Sequence, residues 1–208
     1  LLLPETIVFN INRVSLVTLE LITPFSMFLI NLFLSRILIS KHQINNHFTM
    51  MSIKLKENLN VLIGDNESGK SSILLAMDLL LRGSRNRVET EGLDLLFNSS
   101  CIENFFKIST YQSLPKLKVE LYFDDISDKE FYGRNNTLGK DSYGLSLICE
   151  PRDELSKEIT EILKQGSNNF PFEYYSIAFY KFGGNPYLGF KKFFKHLLID
   201  YSYHRTTN

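Results

Sequence analysis

The chain has 208 residues, 44% hydrophobic and 22% charged, with 23 basic and 23 acidic side chains. That length suits one or two domains with a real core, and zero net charge excludes a chain-wide polycation built to coat nucleic acid. Cys101 and Cys149 show no C-x-x-C spacing and read as reduced core residues of a cytoplasmic protein, and the four histidines lack a metal-ligand spacing.

The chain starts at Leu1 rather than at methionine, and residues 14–40 are strongly apolar. Their uncharged part, residues 21–35, falls short of the roughly 20 residues a membrane helix needs. Extending it backwards takes in Glu20, and Pro24 would kink it. No cationic stretch precedes it as in a secretory signal. If it spanned, Arg36 and Lys41 would favour placing its C-terminal side in the cytoplasm. Three readings compete: a membrane anchor, a buried or amphipathic helix, and a non-native leader ahead of a start at Met50 or Met51. The change of composition over residues 41–49 favours the leader. The expected division is an apolar leader over residues 1–49 and the N-terminal part of an ATPase domain over residues 50–208.

From residue 52 the pattern is α/β. Asn60-Val61-Leu62-Ile63 is a β-favouring run that ends on Gly64-Asp65-Asn66-Glu67-Ser68-Gly69-Lys70-Ser71-Ser72. Gly, four residues, then Gly-Lys-Ser is the phosphate-binding spacing of P-loop nucleotide hydrolases. Gly64 and Gly69 let the backbone bend with its N–H groups turned inward on phosphate oxygens. The helix opening near Lys70 adds unpaired N–H groups and the positive end of its dipole. Lys70 would reach the β- and γ-phosphates, and the Ser71 hydroxyl would hold Mg²⁺. Asp65 and Glu67 must turn their carboxylates outward, leaving their N–H groups to the ligand. The expected cofactors are ATP and Mg²⁺.

Residues 72–81 carry helix formers with no Gly or Pro, and Gly83 is placed to cap that helix. Arg82, Arg85 and Arg87 read as helix-terminal cations in a solvated loop. Short helices are expected over residues 91–98 and 102–108. Residues 116–123 alternate apolar and polar, which predicts a strand with one wet face in an antiparallel sheet. Asp124 at its end therefore makes a poor Walker B aspartate, since such a strand is apolar on both faces. Leu197-Leu198-Ile199-Asp200 is the other, shorter candidate. Residues 128–141 read as a polar mobile loop, 143–149 as a second alternating strand, and 154–165 as a helix capped by Asp153. Residues 174–182 predict a third strand and 190–198 a helix. The aromatics and lysines mixed over residues 174–195 fit a core face better than a nucleic-acid stacking platform.

The run from Asn60 to Asp78 resembles the start of the ABC/SMC-like ATPase domain of OLD-family ATP-dependent endonucleases, which run strand, Gly-x-Asn-x-Ser-Gly-Lys-Ser, then helix. The later alternating strands are similar to that domain's antiparallel lobe, and the resemblance covers residues 52–208. It implies a P-loop fold of α/β class with an antiparallel β lobe, preceded here by the apolar segment. It also implies a homodimeric ATPase that engages DNA in repair or phage defence, with a C-terminal Toprim nuclease in the whole enzyme. The chain departs from the family at four points. It shows no ABC signature, no clear Walker B strand and no acidic Toprim motif, and the usual first strand with Asn-Phe-Arg is missing. Nucleotide binding is therefore expected, while the residues that activate water are unknown. The alternatives are a RecF/SMC-type DNA-repair ATPase without a nuclease and a membrane-tethered or non-catalytic nucleotide-binding remnant.

Overall fold

A computed structural model describes residues 6–10, 26–30, 34–42, 48–55, 59–63, 70–91, 93–97, 99–124, 126–165, 169–189, 194 and 196–200. The strands are β1 (Thr6–Asn10), β2 (Ser26–Ile30), β3 (Leu34–His42), β4 (Phe48–Lys54), β5 (Leu59–Ile63), β6 (Lys116–Phe123), β7 (Tyr132–Gly133), β8 (Ser142–Pro151), β9 (Tyr175–Lys181) and β10 (His196–Asp200). The helices are α1 (Lys70–Arg82), α2 (Arg85–Glu91), α3 (Leu93–Leu96), α4 (Ser99–Ile108) and α5 (Ser156–Lys164). The strands form two sheets. The larger runs β4-β3-β6-β8, with β7 and β9 both on the far edge of β8, and all its pairs are antiparallel. The smaller runs β10-β2-β1-β5, with only β1 and β2 parallel.

Period-2 patterning builds the larger sheet. Ile37, Ile39, Val119, Leu121, Leu145, Leu147 and Phe179 are brought together by the register and buried on one face. Helix α1 packs on that sheet through β6 and β8, and on the smaller sheet through β10. It is buried on nearly every side, from Ile73 and Leu74 to Leu79, Leu80 and Leu81, as a helix inside a core must be. Its C-terminus is closed from two directions. Gly83 takes φ +56° and gives its N–H to the Leu79 carbonyl at 3.1 Å, the left-handed cap its position predicts. The Tyr187 hydroxyl donates to the Leu81 carbonyl at 2.6 Å. A side chain at Gly189 would begin 1.4 Å from the Arg82 carbonyl oxygen, so that segment lies backbone to backbone on the helix end.

Several expectations meet a different structure. The second face of β6 is not wet, because Glu120 and Tyr122 are buried. The loop expected to be mobile covers them. Asn135 donates through its backbone N–H (3.2 Å) and its side-chain amide (2.9 Å) to the Phe182 carbonyl, and Thr137 gives its N–H to Glu120 Oε1 at 2.8 Å. Lys181, itself buried, holds the start of this loop by pairing with Glu130 and lying 3.5 Å from Asp128. Asp153 does not cap α5. Its carboxylate accepts from the Tyr111 hydroxyl at 2.6 Å, and a 3-10 turn from Asp153 to Leu155 leads into the helix. Within the helix expected over residues 190–198, Phe194 has no regular structure and residues 196–198 are strand, the start of β10, since short apolar runs do not separate helix from strand.

The N-terminal apolar segment is β where it is described, so the helical readings do not hold for residues 26–30 and 34–40. Residues 14–25 lie outside the described residues. Among the described residues no helix is long and apolar enough to cross a membrane. Residue 50, the expected boundary, falls inside β4. Strand β3 precedes β4 and β5, against the expected absence of a first strand; it carries no Asn-Phe-Arg motif and pairs antiparallel with β4 and, across a register shift between Leu34 and Arg36, with β6.

Candidate nucleotide site

β5 ends at Ile63 and α1 begins at Lys70. The six residues between them, Gly64, Asp65, Asn66, Glu67, Ser68 and Gly69, lie outside the described residues. The two elements that bound the loop are those the motif requires. Lys70 is only 6% exposed at the helix mouth, Ser71 is exposed and Ser72 half-buried. The first turn of α1 carries no acidic side chain, so no carboxylate on that turn opposes an anion at the N–H groups there. Thirteen residues give this helix a length of about 20 Å. Its dipole and N–H groups are held rigidly by burial along the rod.

The strand register settles where the two candidate acids stand. Asp124 is exposed and follows β6 in the larger sheet, not in the sheet that holds β5. Asp200 is the last residue of β10 in the smaller sheet. β5 runs antiparallel to β1, β1 parallel to β2, and β2 antiparallel to β10. Hence β5 and β10 point the same way, and Ile63 and Asp200 finish at one end of the sheet, paired with Thr6 and Ser26. Three strand spacings separate them, about 14 Å. Of the two acids, Asp200 therefore shares a sheet with β5 and Asp124 does not.

The arginines at the end of α1 and in α2 are engaged by carboxylates. Arg82 Nε lies 2.7 Å from Asp78 Oδ2, Arg87 approaches the same oxygen at 3.9 Å, and Arg85 pairs with Glu89 at 2.8 Å. Asp78, fully buried within α1, is a residue that motif and periodicity do not single out. An aspartate with arginine four residues on inside an apolar helix is the signal that points to it. Most of the described aromatics of residues 174–195 are core, with Tyr174 half-buried and Tyr180 exposed. Tyr175, Phe179, Phe182, Tyr187 and Phe194 are buried, and Tyr175 donates to the Pro115 carbonyl at 2.8 Å. Burial pushes the phenols of Tyr175 and Tyr187 up from their ordinary range. Among the described residues no three His, Cys, Asp or Glu side chains stand together as a metal cage. A magnesium ion held mainly by a hydroxyl, water and phosphate oxygens needs no such cage.

Residues 39–201 match the family described as the AAA ATPase domain. The chain belongs to that AAA ATPase domain family. The matched stretch opens inside β3 and closes just after Asp200, so it takes in β4 to β10 and every helix described. An AAA ATPase domain implies nucleotide binding, usually with Mg²⁺. The pieces at the mouth of α1 fit that demand: a lysine, a hydroxyl beside it and a helix N-terminus with no acid in its first turn. No curated protein and no solved structure matches the chain significantly.

Proposed function

We propose that this AAA ATPase domain is the ATP-binding N-terminal portion of an OLD-like ATP-dependent DNA endonuclease acting in DNA repair or phage defence. The observation that carries the nucleotide reading is the junction of β5 and α1, a strand that stops at Ile63 and a buried helix that opens on Lys70-Ser71. In this reading residues 64–69 wrap the phosphates with backbone N–H groups. Lys70 neutralises charge on the β- and γ-phosphates, and its burial at the helix mouth strengthens that attraction by excluding water. Ser71 offers its hydroxyl to the metal, and Ser72 lines the first turn. Magnesium, when bound, draws charge from the phosphate oxygens and orients them. Asp200 would be the acid to supply a carboxylate to the metal's water, since β10 runs in the same direction as β5 in one sheet and ends within a residue of its end. DNA and a second copy of the chain belong to this reading as partners of the whole enzyme.

The test is calorimetric titration of the full chain with ATP, with and without Mg²⁺, alongside Lys70→Ala. The expected result is Mg²⁺-dependent binding that weakens by tenfold or more in the variant. Equal affinity in both proteins would overturn the site, and no binding by the native chain would overturn the nucleotide reading itself.

A further inference from the structure

We infer that the N-terminal apolar segment is a working part of the nucleotide site. Through β1 and β2 it holds the strand that leads to Lys70 and the strand that ends at Asp200 in one sheet. The inference rests on the nucleotide reading above and adds to it residues that lie before the family match, which starts at residue 39.

Among the described strands, β5 has one partner, β1, and β10 has one partner, β2. β5 and β10 are not neighbours in the sheet. Their relative position is set by two ladders in series, Thr6 to Asn10 against Ile63 to Leu59, and Ser26 to Ile30 against Asp200 to His196, joined by the parallel pairing of Val8 with Met27. A one-residue slip in any ladder would shift Asp200 along the sheet by about 3.3 Å relative to Ile63 and turn β10 over. Nothing else in the described sheet fixes that register. Helix α1 follows β5 in the chain and packs on β10, but it supplies no ladder between the two strands. Residues 6–10 and 26–30 therefore act as positioning elements for a site whose contacting groups lie elsewhere in the chain. The larger sheet, with its own core at Ile37, Val119, Leu121 and Leu147, does not depend on them for its pairing.

Proline reads this out, because it removes a backbone N–H and is not accommodated in a central strand. β1 and β2 each have a neighbour on both sides, so proline at residue 8 or 27 breaks a ladder bond whichever way the N–H faces. The full-length chain carrying Val8→Pro or Met27→Pro is titrated with ATP at zero and saturating Mg²⁺, with Val8→Ile as control. The expected result is that both proline variants lose most of the Mg²⁺-dependent gain in affinity, tenfold or more. They should keep the cooperative melting of the larger sheet and part of their Mg²⁺-free binding, and the isoleucine variant should match the native chain. Retention of the full Mg²⁺ gain by both proline variants overturns the inference while leaving the nucleotide reading intact. Failure of the native chain to bind removes both. Should the proline variants not fold, amide exchange on the native chain decides: Mg-ATP is expected to slow exchange in residues 6–10 and 26–30 together with 59–63. Slowing confined to residues 59–63 overturns the inference.

Discussion

Glu120 shows how much one side chain can organise. It sits on the face of β6 that alternation assigns to water, yet it is fully buried with three partners: the Tyr122 hydroxyl at 2.7 Å, the Thr137 N–H at 2.8 Å and Lys118 Nζ at 2.5 Å. A buried carboxylate is tolerated because its oxygens are filled and a cation faces it. Glu120→Gln removes the charge, takes the carboxylate away from Lys118 and turns an acceptor into a donor facing the Thr137 N–H or the Lys118 amine. The expected cost is about 2 kcal/mol, measured as a lower urea midpoint, together with faster proteolysis between residues 133 and 140. An unchanged cleavage rate would show that the Asn135 bonds to Phe182 and the Lys181 pairs hold the loop without Glu120. Tyr187→Phe is gentler. It deletes one hydrogen bond to the Leu81 carbonyl and should cost about 1 kcal/mol, lowering Tm by about 2–4 °C.

At the scale of elements, the glycine pair at the end of α1 sets the tolerance of the helix. Gly189→Ala puts a methyl group into the Arg82 carbonyl, a backbone clash that no rotamer relieves. Its expected cost is about 3 kcal/mol or more, read as a lower Tm; a loss below about 1 kcal/mol would mean residues 187–189 can lift off the helix. This junction also marks the line between what residues announce and what they do not. The cap at Gly83 and the run of helix formers before it are legible in the sequence, since they depend on local backbone preference. So are the alternating strands β6, β8 and β9, because a period of two is written into neighbouring residues. The second layer over β6 is not legible, since it is made by Asn135, Thr137 and Phe182, far from Glu120 in sequence. The apolar run of β10 reads as helical for the same reason: what makes it a strand is β2, from the other end of the chain. Spacing alone points to the proposed nucleotide motif, whereas which of Asp124 and Asp200 shares a sheet with β5 needs strand pairing.

At the scale of the molecule, pH sensitivity lies on the alkaline side. Burial raises the Cys149 thiol to about 12. Burial, then the hydrogen bond to Asp153, raises Tyr111 to about 12. Burial moves Tyr175 and Tyr187 in the same direction. Each group keeps a proton in the folded chain that the unfolded chain, with ordinary values of 9.0 for cysteine and 10.0 for tyrosine, has already released. Their stabilising contribution is therefore complete below about pH 9 and is lost as pH climbs towards 12. Urea midpoints at about pH 8 and about pH 11 check this: a fall at the higher pH is expected, with Tyr111→Phe lessening it, and an unchanged midpoint would contradict it. The smaller sheet has a different consequence, in time rather than in energy. His196 must find Ile30 and Leu59 must find Asn10, so β2 is made long before its outer partner exists. On a ribosome the apolar strands β1 and β2 emerge before their outer partners β5 and β10, a vulnerable interval in which unsatisfied edges invite aggregation or the help of a chaperone.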